Sequence, residues 1–122
     1  MTRGKRSPDS LLPLTPAMFE VLIALADGEK HGYAIIKEVA RRTGGEVSLS
    51  AGTLYAIIRR FEMEGVLEES DERPDAALDD ERRRYYRLTS FGRDVAQAEA
   101  KRMETALKMA QAKNLIPRTR TV

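Results

Sequence analysis

Four stretches of the chain repeat apolar residues at helical spacing. Thr15-Pro16 opens the first, with a hydroxyl at the N-cap and a proline whose fixed φ suits a first helical position. Met18, Val21, Leu22 and Leu25 follow, Phe19 and Ile23 widen the apolar face, and Asp27-Gly28 stops it. The second stretch runs from Gly32 to Thr43, with Tyr33, Ile36, Val39 and Ala40 as its stripe. Arg41 and Arg42 favour the negative end of that helix, and Gly44-Gly45 ends it. The third starts at Ser50, a good N-cap, and places Leu54, Ile57, Ile58 and Phe61 at i, i+3, i+4 and i+7 before Gly65. The fourth begins at Thr89, with Gly92 in its first turn. Phe91, Val95, Ala98, Met103, Ala106, Leu107 and Ala110 lie along one broad side.

Between the third and fourth stretches the pattern changes. Val66 and Leu67 open a strand reaching about Ser70, and Arg83-Arg84-Tyr85-Tyr86-Arg87-Leu88 is rich in residues that favour its partner. Three helices, a hairpin and a long helix predict a mainly α chain with a small β-hairpin. The reading is a winged helix-turn-helix over residues 15–88, the hairpin being a wing beside the third helix. The last helix, 89–113, is longer than a three-helix core can cover. A second copy of the chain would bury its apolar side, so Phe91, Val95, Met103 and Leu107 are expected at a homodimer interface. The alternative is that this helix folds back on the first. Residues 1–14, with Arg3, Lys5, Arg6, Pro8 and Pro13, read as a flexible basic arm, and 114–122 as a disordered tail.

Composition narrows the chemistry. The 122 residues fit one domain, and the absence of Cys excludes disulfides, thiol catalysis and cysteine-bound zinc. A single histidine, His31, excludes a multi-histidine metal site and argues against a hydrolytic triad; it reads as a helix-end residue. No Gly-rich phosphate loop or paired-carboxylate motif stands out, so neither an enzyme nor a cofactor is expected. No apolar run approaches the ~18–20 residues that span a bilayer, and Met1 to Pro16 lacks the apolar centre of a signal peptide, so a cytoplasmic protein without a membrane partner is expected.

The net charge of +2 conceals an uneven distribution: residues 1–67 carry +1, residues 68–81 carry −7 and residues 82–122 carry +8. A chain with that cationic excess can dock on phosphate if the acidic segment points away. The third helix offers the place. Opposite its apolar stripe lie Ala51, Gly52, Thr53 and Tyr55, then Arg59 and Arg60. Small groups at a helix N-terminus allow close approach to base edges, and the two arginines can reach phosphates. An ordinary solvated polar face fits the same residues. Arg82 to Arg84, at the wing base, suit phosphate contacts or charge balance against Asp79, Asp80 and Glu81.

Three motifs in order resemble the PadR-type transcriptional regulators. They are His31-Gly32-Tyr33-Ala34-Ile35; Ser50-Ala51-Gly52-Thr53-Leu54-Tyr55 with Phe61-Glu62-Met63-Glu64-Gly65-Val66-Leu67; and Arg84-Tyr85-Tyr86-Arg87-Leu88-Thr89-Ser90-Phe91-Gly92. The likeness runs from about Leu14 to Met109, and the single long last helix fits the short members of the family. It implies a dimeric repressor that binds a pseudo-palindromic operator in double-stranded DNA, in many members released by a small-molecule effector. By position, it implies that Ser50, Ala51, Gly52 and Thr53 enter the major groove and that Tyr55 and Tyr33 lie near phosphate, a half-buried core position being the other reading of Tyr33. Arg84 would be a wing contact. Two features depart from the family. The connection from Asp71 to Glu81 is long and acidic, and the absence of Trp precludes the tryptophan sandwich in which some relatives stack flat aromatic compounds. The competing reading is a winged helix that binds another protein rather than DNA.

Overall fold

The computed structural model describes residues 6–70 and 84–117. A short 3-10 helix, Pro8–Leu11, precedes α1 (Pro16–Ala24), β1 (Lys30–His31), α2 (Gly32–Arg42), α3 (Ala51–Met63), β2 (Leu67–Ser70), β3 (Tyr85–Leu88) and α4 (Ser90–Ala112). Each α-helix begins where a side chain accepts from a first-turn N–H that has no carbonyl partner. Thr15 Oγ1 accepts from Met18 N–H at 3.1 Å, Ser50 Oγ from Thr53 N–H at 3.1 Å and Thr89 Oγ1 from Gly92 N–H at 2.9 Å. In α2 the cap is His31, whose Nδ1 accepts from Ala34 N–H at 3.2 Å. These four caps fix the starts that the sequence reading assigned to α1, α2, α3 and α4.

The apolar stripes of α1, α2 and α3 meet in one core. Val21, Leu22, Ile35, Val39, Leu54, Ile58 and Phe61 are buried there, and Val66 closes it from the turn after α3. The stripe of α2 is rotated from the expected one. Val39 is buried as expected and Ile36 packs half-buried against the core, but Ile35 is buried and Tyr33 is 59% exposed. A charge network ties the outer sides of α1 and α2: Arg42 pairs with Glu20 and Glu38, and Lys30 with Asp27 and Glu38. The hydrogen bond and charge of Lys30 hold the Asp27 carboxyl below its ordinary value.

The sheet has three antiparallel strands in the order β1-β3-β2. The hairpin pairs Leu67 with Leu88 and Ser70 with Tyr85. The sequence reading missed β1, two residues that pair Lys30 with Tyr86 and His31 with Tyr85 on the other edge of β3. The return strand spans Tyr85–Leu88 and leaves out Arg84; Arg83 and the expected acidic connection, 71–81, lie outside the described residues.

Helix α4 is seated directly on the turn that follows α3. Thr89 N–H donates to the Val66 carbonyl at 3.0 Å, and a Cβ on Gly92 would run into that carbonyl. Only glycine permits the approach. Seated in this way, α4 turns Gly92, Val95 and Glu99 toward the core.

The segment expected as a flexible arm differs from its reading over residues 6–14. Leu14 is buried, and Leu11 and Leu12 pack against the core. The Leu14 N–H donates to Glu99 Oε2 at 3.0 Å. The Arg6 guanidinium lies 5.4 Å from the centroid of the Phe91 ring and donates to the Glu64 carbonyl at the end of α3. The segment is thus a strap joining α3 and α4. Apolar burial explains it: three leucines gain contacts that an arm in water would lack. Arg3 and Lys5 lie outside the described residues. At the other end, residues expected as tail close the helix. Asn114 adopts φ 62°, and Leu115 N–H returns to the Ala110 carbonyl at 2.9 Å.

Candidate nucleic-acid interface

The corner between α2 and α3 is held by a contact at Gly32. The Tyr55 hydroxyl lies so close over Gly32 that a Cβ there would collide with it. Gly32 therefore lets the Tyr55 ring cross the start of α2. Tyr55 remains 40% exposed, and Tyr33 lies exposed at the same corner with Lys37 Nζ 5.3 Å from its ring centroid. Beneath them Tyr86 is buried; burial pushes its phenol upward, with Tyr55 and Glu62 adding to the effect.

Along α3, Ser50, Ala51, Gly52, Thr53, Ala56, Arg59 and Arg60 are all exposed, while Leu54, Ile58 and Phe61 face the core. The Ser50 hydroxyl donates to Thr53 Oγ1 at 3.0 Å, which joins its cap to the first turn. Arg59 makes no ion pair with another described residue. Arg60 lies 3.5 Å from Glu64, and Arg84, on the wing, 3.4 Å from Glu69. Such exposed pairs contribute at most about 1 kcal/mol, so a phosphate can displace them. The fold thus gathers Tyr33, Ser50, Ala51, Gly52, Thr53, Tyr55, Arg59 and Arg60 onto the exposed parts of α2 and α3. Arg84 stands separately on the hairpin, and Arg82 and Arg83 lie outside the described residues.

The expected dimer residues divide. Val95 is fully buried in the chain's own core and is therefore not available to an interface. The reason is the seat at Gly92, which points the first turns of α4 inward. Phe91 is half-buried against the same core, under Arg6. Met103 and Leu107 lie beyond that core and are exposed, Leu107 at 47%, as is Met109 at 58%.

Sequence reasoning also missed Glu99. Its carboxylate is fully buried, accepting from Leu14 N–H and, at 2.6 Å and 3.1 Å, from Nε and Nη2 of Arg102. The Arg102 hydrogen bond, and secondarily the Leu14 N–H, outweigh desolvation and hold this carboxyl below its ordinary value. A signal was present: Gly92, Val95 and Glu99 share one helical stripe, with an arginine three residues further on. Among the described residues, no cluster of three His, Asp or Glu could hold a metal ion, and no helix is long and apolar enough to cross a membrane.

A three-helix core with an exposed third helix, a hairpin beside it and a long helix after it defines a winged helix-turn-helix protein. Residues 21–98 match the model of the Transcriptional regulator PadR-like family, and the chain belongs to that family. An uncharacterized protein of Lysinibacillus sphaericus is 32% identical over 73 residues, 60% of this chain; the match spans 64% of that protein's length. A PadR family transcription regulator from Clostridium difficile R20291 shares the fold at TM-score 0.64 and 24% identity, over 84% of this chain and all of that one. Bacillus subtilis PadR, solved in complex with operator DNA, matches at TM-score 0.56 and 18% identity, over 90% of this chain and 51% of that one.

Proposed function

We propose that the chain is a homodimeric repressor that binds a pseudo-palindromic DNA operator through α3. The observation carrying this reading is the first half of α3. On a PadR-like winged helix it stands clear of the core from Ser50 to Thr53, with Arg59, which pairs with no other described residue, further along. Its N-terminal turns enter a major groove, and Arg59 and Arg60 meet backbone phosphate. Tyr33 and Lys37 at the α2 corner, and Arg84 on the wing, add backbone contacts. The exposed apolar residues Met103, Leu107 and Met109 pair α4 with its copy. The two-fold axis makes the operator an inverted repeat, with recognition helices roughly 34–36 Å apart. Bound in the cytoplasm, the dimer occludes transcription. A small-molecule effector would release it by binding two spacings of the α4 pair with different affinity.

The test is selection of bound fragments from the organism's own genomic DNA at moderate salt, against random-sequence competitor. Enrichment of an inverted repeat with half-sites one helical turn apart is expected. Weak retention without sequence preference, lost as salt rises, would contradict the reading and point to a winged helix that binds a protein instead.

A further inference from the structure

We infer that the operator half-site is read through thymine C5-methyl groups rather than through the hydrogen-bonding edges of purines, an inference that rests on the DNA-binding reading above. The strong base readers are bidentate: Arg or Lys on guanine, Asn or Gln on adenine, with Asp or Glu accepting from cytosine. From Ser50 to Ile58, α3 contains none of these residue types. Its exposed hydroxyls are largely committed. Ser50 Oγ accepts from Thr53 N–H at 3.1 Å and donates to Thr53 Oγ1 at 3.0 Å, which leaves one O–H on Thr53. A lone hydroxyl pairs with any base and discriminates little.

Apart from Tyr55, whose hydroxyl lies over Gly32 at the start of α2, the remaining outward groups are apolar. Ala51, Thr53 and Ala56 are exposed, and each carries a methyl. At Gly52 nothing lies within 4 Å of where a Cβ would stand, so this turn can press its backbone against a groove floor. In the major groove the apolar feature that distinguishes one base from the others is the thymine methyl. Arg59, the first long cation along the helix, lies about 10 Å further up the axis than Gly52 at 1.5 Å per residue. That distance places it at the groove's phosphate wall. Gly52, Thr53 and Ala56 are therefore the specificity-determining residues.

The experiment replaces the thymines of the selected operator by uracil, one at a time, which removes the methyl and preserves every hydrogen bond. At least one thymine in each half-site should lose about fourfold in affinity, the worth of one buried methylene. Replacing guanines by 7-deazaguanine should cost less than about twofold, well short of a lost bidentate pair. Thr53→Ser keeps the cap and the hydroxyl but removes the methyl. It should abolish the thymine-to-uracil discrimination at one position, and Thr53→Val should retain it. Uracil tolerated at every position, or a tenfold loss with 7-deazaguanine, would overturn the inference while leaving the operator intact. Failure to select any operator would instead overturn the DNA-binding reading, and this inference with it.

Discussion

Removal of the Glu99 carboxylate tests how the strap is held. In Glu99→Ala the buried Leu14 N–H loses its acceptor, and an unsatisfied buried donor costs about 1–3 kcal/mol. The bond to Arg102 adds little, because that side chain is 47% exposed and solvent screens the pair; about 0–1 kcal/mol is appropriate. The emptied volume raises the cost further, giving about 2–4 kcal/mol in all. Glu99→Gln keeps an oxygen for Leu14 and should cost about 1 kcal/mol or less. Urea unfolding at pH 7 and fixed protein concentration reads both values, and limited trypsin cleavage after Arg6 should accelerate in the alanine variant alone. The pH dependence has a defined sign. The folded carboxyl holds its proton less tightly than the unfolded one, whose ordinary value is 4.5. The advantage of wild type over Glu99→Gln is therefore complete above that value and shrinks as pH falls through the lowered folded value. Equal stability of the two variants, or an advantage that grows on acidification, would refute the role given to Glu99.

Three further outcomes follow from the geometry. Gly92→Ala forces a methyl into the Val66 carbonyl, a backbone atom with little freedom to yield; a loss of about 1–3 kcal/mol in urea unfolding is expected, and a neutral result would show that α4 is not seated there. Arg59→Ala should weaken operator and random DNA to a similar degree and reduce the salt slope of binding by about one, and unchanged affinity at low salt would remove Arg59 from the phosphate contacts. Leu107→Glu places a charge on the exposed apolar side of α4 and should shift sedimentation from dimer to monomer with the fold intact; an unchanged dimer would place the interface elsewhere.

The helices were legible because their signals are local. Thr15, Ser50 and Thr89 cap their own helices, and the Leu54–Phe61 stripe is set by periodicity alone. The features that escaped depend on distant partners. β1 is two residues long and exists through pairing with β3, more than fifty residues away. The strap leucines have no helical period, and their burial is decided by α4. In α2 the expected stripe of Tyr33, Ile36, Val39 and Ala40 held at Val39 and partly at Ile36, but packing against α1 and α3 buries Ile35 and leaves Tyr33 exposed. Val95 joined the chain's own core because Gly92 admits the Val66 carbonyl, a contact that no spacing rule displays. At the site, exposure of the first turn of α3 followed from its capped start. The placement of Tyr55 over Gly32 required the angle between two helices.

The most direct test of the central claim combines stoichiometry and footprint on one selected DNA fragment. Native mass measurement should find two chains per duplex, and missing-contact footprinting should find two major-groove windows about one helical turn apart, related by two-fold symmetry. One chain per duplex, or a single window without a symmetric mate, would contradict a dimer that reads an inverted repeat through paired copies of α3.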